Sequence, residues 1–132
     1  MQSGIRAIAT TRATIWAARA MSGLAALFII VDGAMKLFAP TQVVEAMNEL
    51  GYPERLTTSI GILAIAVTAV YLYPRTAVLG AVLLTGFLGG AVASQLRAEA
   101  GLFPIVFPIL IGALAWAGLY LRDKRARMLF QA

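Results

Sequence analysis

The 132-residue chain has no cysteine and no histidine, and sets only six acidic residues against eleven basic ones. Disulfide exchange, thiolate nucleophiles, histidine-ligated haem and the usual cysteine- or histidine-based metal centres are therefore excluded within it. No metal site and no cofactor held by the chain's own ligands is expected. Charge of either sign is scarce, at 13% of residues, while 61% are hydrophobic and the mean hydropathy is +0.84. A soluble domain this small leaves too much surface in water to hide that apolar content. The helices of a soluble four-helix bundle would each carry a polar stripe as well, and neither Ile60–Val70 nor Ala77–Ala93 has one.

What the chain has instead is four long apolar runs, read as Trp16–Phe38, Leu56–Tyr73, Thr76–Gln95 and Leu102–Leu121. Each is near the length an α-helix needs to cross roughly 30 Å of hydrocarbon at about 1.5 Å per residue. The reading is an all-α, four-transmembrane-helix bundle, a single membrane domain over residues 1–132. The first run is long for a signal peptide and carries Asp32 and Lys36 near its far end, so it is expected to remain in the mature protein.

The net charge of +5 and pI near 10.3 do not point to nucleic acid, because the cations gather at the mouths of the apolar runs. Membrane lipids are the expected partners. An inside N-terminus places Arg6, Arg12, Arg19, Arg75, Arg122, Lys124, Arg125 and Arg127 at the cytoplasmic border, and leaves Lys36, Arg55 and Arg97 in the outer half. The positive-inside tendency favours this topology, with both termini cytoplasmic. Trp16, Tyr71, Tyr73 and Tyr120 then fall at the inner border as interfacial aromatics.

Tyr73-Pro74-Arg75 stops the second run and forces a tight inner hairpin. Ala98–Gly101 makes a short outer turn. After the first run, Ala39-Pro40-Thr41 breaks the helix, and Thr41–Leu50 forms a short amphipathic helix in the first outer loop. Val43, Val44, Met47 and Leu50 give its apolar side; Gln42, Glu45 and Glu49 give its polar side. Gly51 suits a left-handed stop and Pro53 a helix start. The segment either lies on the membrane surface or folds over the bundle mouth.

Asp32 and Lys36 are the sharpest local signal, since their i,i+4 spacing puts them on one helical face. An unpaired charge at mid-helix costs about 2.5–3.5 kcal/mol, so they form either a structural ion pair or part of an interior site that orients a polar ligand. Gln95 and Arg97 reach the same level from the third span, where Arg97 can clamp a carboxylate, pair with Asp32 or anchor in headgroups. These four residues compose a candidate polar site, which requires the first and third spans to be neighbours. Gly86 and Gly90 form a GxxxG pair expected to pack a helix of this chain, a second copy or another protein. Ser22, Gly23 and Ala26 mark a similar contact. Pro108 removes an internal hydrogen bond from the fourth span, and with Phe103 and Phe107 it suggests an apolar pocket in the outer leaflet.

The segments Phe28–Phe38, Leu50–Pro53, Tyr73–Gly80 and Leu84–Ala93, with Gly118–Asp123, resemble the DoxX-like family of small four-helix membrane proteins. The resemblance implies that fold over almost the whole chain, in the bacterial cytoplasmic membrane. It also implies links to thiosulfate:quinone oxidoreductase, other membrane redox assemblies, and assembly or chaperone roles. Relatives often carry a histidine where this chain has Gln95, two residues before Arg97, so a mechanism needing that histidine does not carry over. The leading expectation is a noncatalytic accessory or lipid-binding subunit that positions a quinone or lipid, or stabilises a homo-oligomer or a membrane-complex partner. The alternatives are the membrane subunit of a quinone-linked oxidoreductase, with electron cofactors on a partner, and a small transporter.

Overall fold

The computed structural model describes residues 12–38 and 40–130; Arg6, Ala39 and the Gln131-Ala132 tail lie outside them. The elements are α1 (Arg12–Phe38), α2 (Thr41–Glu49), α3 (Glu54–Leu72), a 3-10 turn (Pro74–Thr76), α4 (Ala77–Arg97), α5 (Leu102–Arg122) and α6 (Lys124–Phe130). Among the described residues four helices, α1, α3, α4 with its preceding turn, and α5, are long and apolar enough to cross a membrane. Leu24, Leu27, Ile62, Leu79, Val82 and Leu110 point outward and exposed. Water would penalise that surface, whereas hydrocarbon solvates it. The chain is an integral membrane protein.

The spanning helices form a ring. α1 packs against α3 and α5, α4 packs against the same two, and α1 and α4 face each other across the diagonal. The core is dominated by small side chains, with Ala18, Ala25, Ala64, Ala77, Ala81 and Ala115 at 1% exposure or less. Small residues let helix backbones approach, and in lipid that close packing replaces the missing hydrophobic drive. The glycines show where approach is tightest. A Cβ on Gly80 would lie 2.2 Å from the Tyr71 backbone, one on Gly118 would lie 2.4 Å from Ser22 Oγ, and one on Gly61 would lie 2.7 Å from the Gly33 carbonyl.

The GxxxG pair behaves otherwise. A Cβ on Gly86 or Gly90 meets nothing within 4 Å, so the intrachain packing expected of them is not made. Within this chain they border open space rather than a helix. Gly23 also faces open space, while its neighbours Ser22 and Ala26 are buried.

At the end of the bundle holding the α3–α4 hairpin and α6, here the terminal end, a buried polar hub joins three helices. Tyr71, fully buried, sits with its hydroxyl 2.7 Å from the Ala115 carbonyl and 2.8 Å from Ser22 Oγ. The single phenolic proton goes to the carbonyl, which can only accept, so the Ser22 hydroxyl completes the chain by donating to Tyr71. Arg122 donates from Nε to Ser22 at 3.1 Å and stacks over the Tyr71 ring at 5.6 Å. The interfacial place expected for Tyr71 is therefore corrected: its hydroxyl finds partners inside, and it belongs to the core. Tyr73 and Trp16 are exposed, and Arg19 lies over the Trp16 ring at 5.5 Å.

α6 folds back on the same end. Phe130 meets Trp116 and Tyr120 edge-on, both at 5.7 Å. Arg125 donates to the Arg75 carbonyl at 3.0 Å and to the Pro74 carbonyl, while Arg127 caps the Tyr120 and Leu121 carbonyls at the end of α5. Asp123 accepts the Arg125 backbone N–H at 2.8 Å. Burial opposes ionisation of Asp123, but the hydrogen bonds and charge of Arg125 outweigh it and hold the carboxyl below the usual aspartate range.

Candidate functional site

The opposite end, where α2 sits, is hollow. α2 ends in a left-handed Gly51 (φ 88°), with the Gly51 N–H on the Asn48 carbonyl and the Tyr52 N–H on the Met47 carbonyl, both at 2.9 Å. Pro53 then caps α3 with extended backbone. This compact reversal swings α2 over the bundle mouth. Met47 is buried, Val43, Val44 and Leu50 are half-buried, and Gln42, Glu45 and Glu49 stay exposed. Of the two placements open to the segment, it takes the one over the mouth.

Two bonds tie this lid to α4. Tyr52 lies 2.7 Å from Ser94 Oγ, and Ser94 in turn donates to the Gly90 carbonyl at 2.9 Å, so Tyr52 is the donor of the first bond. The Arg97 guanidinium donates to the Leu50 carbonyl at 2.5 Å and rests against Gly51. Glu99 follows in left-handed backbone (φ 52°), turning the chain toward α5.

Beneath the lid lies a cavity of about 540 Å³, within the range of small-molecule sites. Its walls are mostly apolar. α5 presents Phe103, Phe107 and Pro108, the expected apolar pocket, and Phe28 of α1 meets Phe107 edge-on at 5.5 Å. α5 runs unbroken through Pro108, so the missing helical hydrogen bond falls where the helix borders the cavity. α4 contributes Gly86 and Gly90, whose lack of side chains leaves much of the space open.

Polar groups enter this space from both sides of the diagonal. Asp32, Lys36 and Gln95 all line it, although their helices are not neighbours; the cavity itself brings them together. Lys36 donates from Nζ to Asp32 Oδ2. The Lys36 side chain is 13% exposed and that of Asp32 57%. Arg97 does not line the cavity, because its guanidinium is drawn outward to the lid carbonyl. Three of the four residues of the candidate polar site thus share one cavity, and the fourth fastens its cover.

Sequence reasoning missed Tyr52 and Ser94 as partners and Met47 and Phe28 as wall residues. The Gly51-Tyr52-Pro53 reversal was legible as a turn, but nothing local revealed that it aims Tyr52 at a helix 42 positions onward.

A family model described as the DoxX-like family matches residues 20–118, a span that includes every residue on the cavity wall. Comparison with curated proteins gave no match, and neither did comparison with solved structures.

Proposed function

This chain belongs to the DoxX-like family, and from that premise we propose a noncatalytic accessory protein that holds one small apolar or lipid-like molecule beneath α2. The cavity carries the reading. It has the size of a ligand site, aromatic and aliphatic walls, and a few polar groups facing in from α1 and α4 to fix orientation. Asp32 and Lys36 neutralise each other, and the chain brings no cysteine or histidine for redox or nucleophilic work, so binding is the chemistry these residues support.

The test fills the space. Gly90→Phe places a ring in the cavity, whereas Gly89→Phe, at a position with equal room but off the cavity wall, serves as the control. Protein reconstituted in nanodiscs should bind a hydrophobic fluorophore saturably, Gly89→Phe should retain that binding and Gly90→Phe should lose it. Absence of saturable binding, or equal binding by all three proteins, defeats the reading.

The proposed setting is a bacterial cytoplasmic membrane with the terminal end inward. Arg12, Arg19, Arg75, Arg122, Lys124, Arg125 and Arg127 cluster there against Asp123 alone, while Glu45, Glu49, Glu54 and Glu99 lie at the lid end. That bias supports the orientation. Because the chain lacks cysteine, single introduced ones report it directly. On intact cells an impermeant maleimide should label Gln42→Cys and spare Arg75→Cys; the reverse pattern inverts the topology.

A further inference from the structure

We infer that the cavity selects an uncharged amphiphile whose head donates a hydrogen bond, such as a long-chain alcohol or another hydroxyl-bearing lipid. The inference rests on the binding role proposed above and narrows it to a ligand class.

Among the described residues the only charged side chains on the cavity wall are Asp32 and Lys36, and they are paired. The pair is lopsided. The Lys36 stem is pinned against α3, where a Cβ added to Gly61 would lie 2.9 Å from Lys36 Cβ, and little of its side chain is accessible. Asp32 is the accessible partner. Its Oδ2 takes the ammonium, and no donor among the described residues reaches Oδ1. What the site offers an incoming molecule is therefore an acceptor, a carboxylate oxygen whose charge is already balanced.

This sets the head chemistry. An ionic head would add a charge to a low-dielectric site whose own charges already cancel, and an uncompensated buried charge is expensive. A head that only accepts hydrogen bonds is left with the recessed Lys36 ammonium and the neutral Gln95 amide, and cannot use the carboxylate at all. A hydroxyl donates to Oδ1 and forms a charge-assisted bond without adding net charge. Across the cavity the Gln95 amide has no hydrogen-bond partner among the described residues and supplies both a donor and an acceptor for the same oxygen or a second one. Tyr52 and Ser94 have committed their hydroxyl protons, one to Ser94 and the other to the Gly90 carbonyl, so toward the head they can only accept, and a neutral oxygen holds a donor more weakly than the carboxylate does. The tail then runs along Phe28, Phe103 and Phe107.

The experiment uses the full chain in phosphatidylcholine nanodiscs, a lipid without hydroxyls, and probes of matched tail length. Tritiated dodecanol is displaced by unlabelled dodecanol, dodecyl methyl ether, laurate or dodecylamine. Dodecanol should bind saturably and about tenfold or more tighter than the ether, the loss expected for one hydrogen bond to a charged group, with laurate and dodecylamine weaker than dodecanol. In the double variant Asp32→Leu with Lys36→Met, which leaves no orphaned charge, the preference for alcohol over ether should shrink to about threefold or less, what the neutral Gln95 amide still accepts from a hydroxyl. Equal affinities in the unaltered protein, or tightest binding by an ionic probe, overturn the inference while the binding role stands. If none of the probes binds saturably, both fall.

Discussion

A methyl group added to Gly80, at the terminal end of α4, would lie 2.2 Å from the Tyr71 backbone; added to Gly86 or Gly90, toward the lid end of the same helix, it would meet nothing within 4 Å. One helix thus carries glycine for two opposite purposes. At the terminal end the residue is absent a side chain so that α3 can press in, and beside that contact a buried hub of Ser22, Tyr71 and Arg122 joins α3 to α1 and α5. At the lid end the same absence keeps a volume empty. Along α4, close packing occupies one end and vacancy the other.

The largest effect that separates the two ends is expected from glycine substitution. Gly80→Ala forces a methyl group into backbone that has no flexible end to yield, and should cost about 3 kcal/mol or more, the upper part of the overpacking range. Gly86→Ala and Gly90→Ala should instead be neutral or stabilise by up to about 1 kcal/mol, since alanine is the better helix former and has room. Unfolding of the reconstituted protein by sodium dodecyl sulfate measures both; similar costs at both ends would erase the distinction drawn here.

Next in size is Tyr71→Phe. It strips the phenol that serves Ser22 and the Ala115 carbonyl, leaving buried polar atoms short of a partner at about 1–3 kcal/mol. The same titration reads this loss. An unchanged midpoint would mean that the hub is geometry without energy. Arg97→Met removes the lid bond to Leu50 and should cost about 1 kcal/mol or less, because the group is exposed. Hydrogen exchange should quicken in Thr41–Leu50 while remaining unchanged around Tyr71. Exchange that quickens equally at both ends would show that the lid is not a separate unit.

The smallest effect is a pH dependence at α6. The Asp123 carboxyl is held below its usual range in the folded protein, so its contribution is fully present above the unfolded aspartate pKa and is lost as pH falls through the lower folded value. Acidification through and below the ordinary aspartate range should loosen α6 and shift the fluorescence of Trp116, which packs on Phe130. Asp123→Asn should flatten that transition, and an identical acid response in the variant would exclude Asp123 as its source.

The spanning helices were legible because hydrocarbon imposes a length and a polarity that a single chain displays openly; their ends fall within a few residues of the apolar runs. Gly51 and Pro53 announced the reversal after α2 through backbone chemistry, which is local. The family resemblance drawn from Phe28–Phe38, Leu50–Pro53, Tyr73–Gly80 and Leu84–Ala93 falls within the matched span, and Gly118–Asp123 runs past its end. What escaped was relational. GxxxG reads alike whether a helix or a void lies beside it, and Tyr71 near a helix end looks interfacial until Ser22 and Ala115 are brought to its hydroxyl. Arg97 sat close to Asp32 and Lys36 in depth, yet depth does not reveal azimuth, and the guanidinium turned to a carbonyl that sequence could not place. For the same reason Asp32, Lys36 and Gln95 line one cavity and Arg97 does not.

Because α1 and α4 stand on opposite corners of the ring, the span between the Asp32–Lys36 pair and Gln95 is set largely by α3 and α5, which pack against both. That span is a caliper whose jaws are held open by the girth of α3 and α5. Trimming or thickening Ile60 or Ile111, which carry no polar group of their own, should change how long a head the jaws accept and leave its chemistry alone.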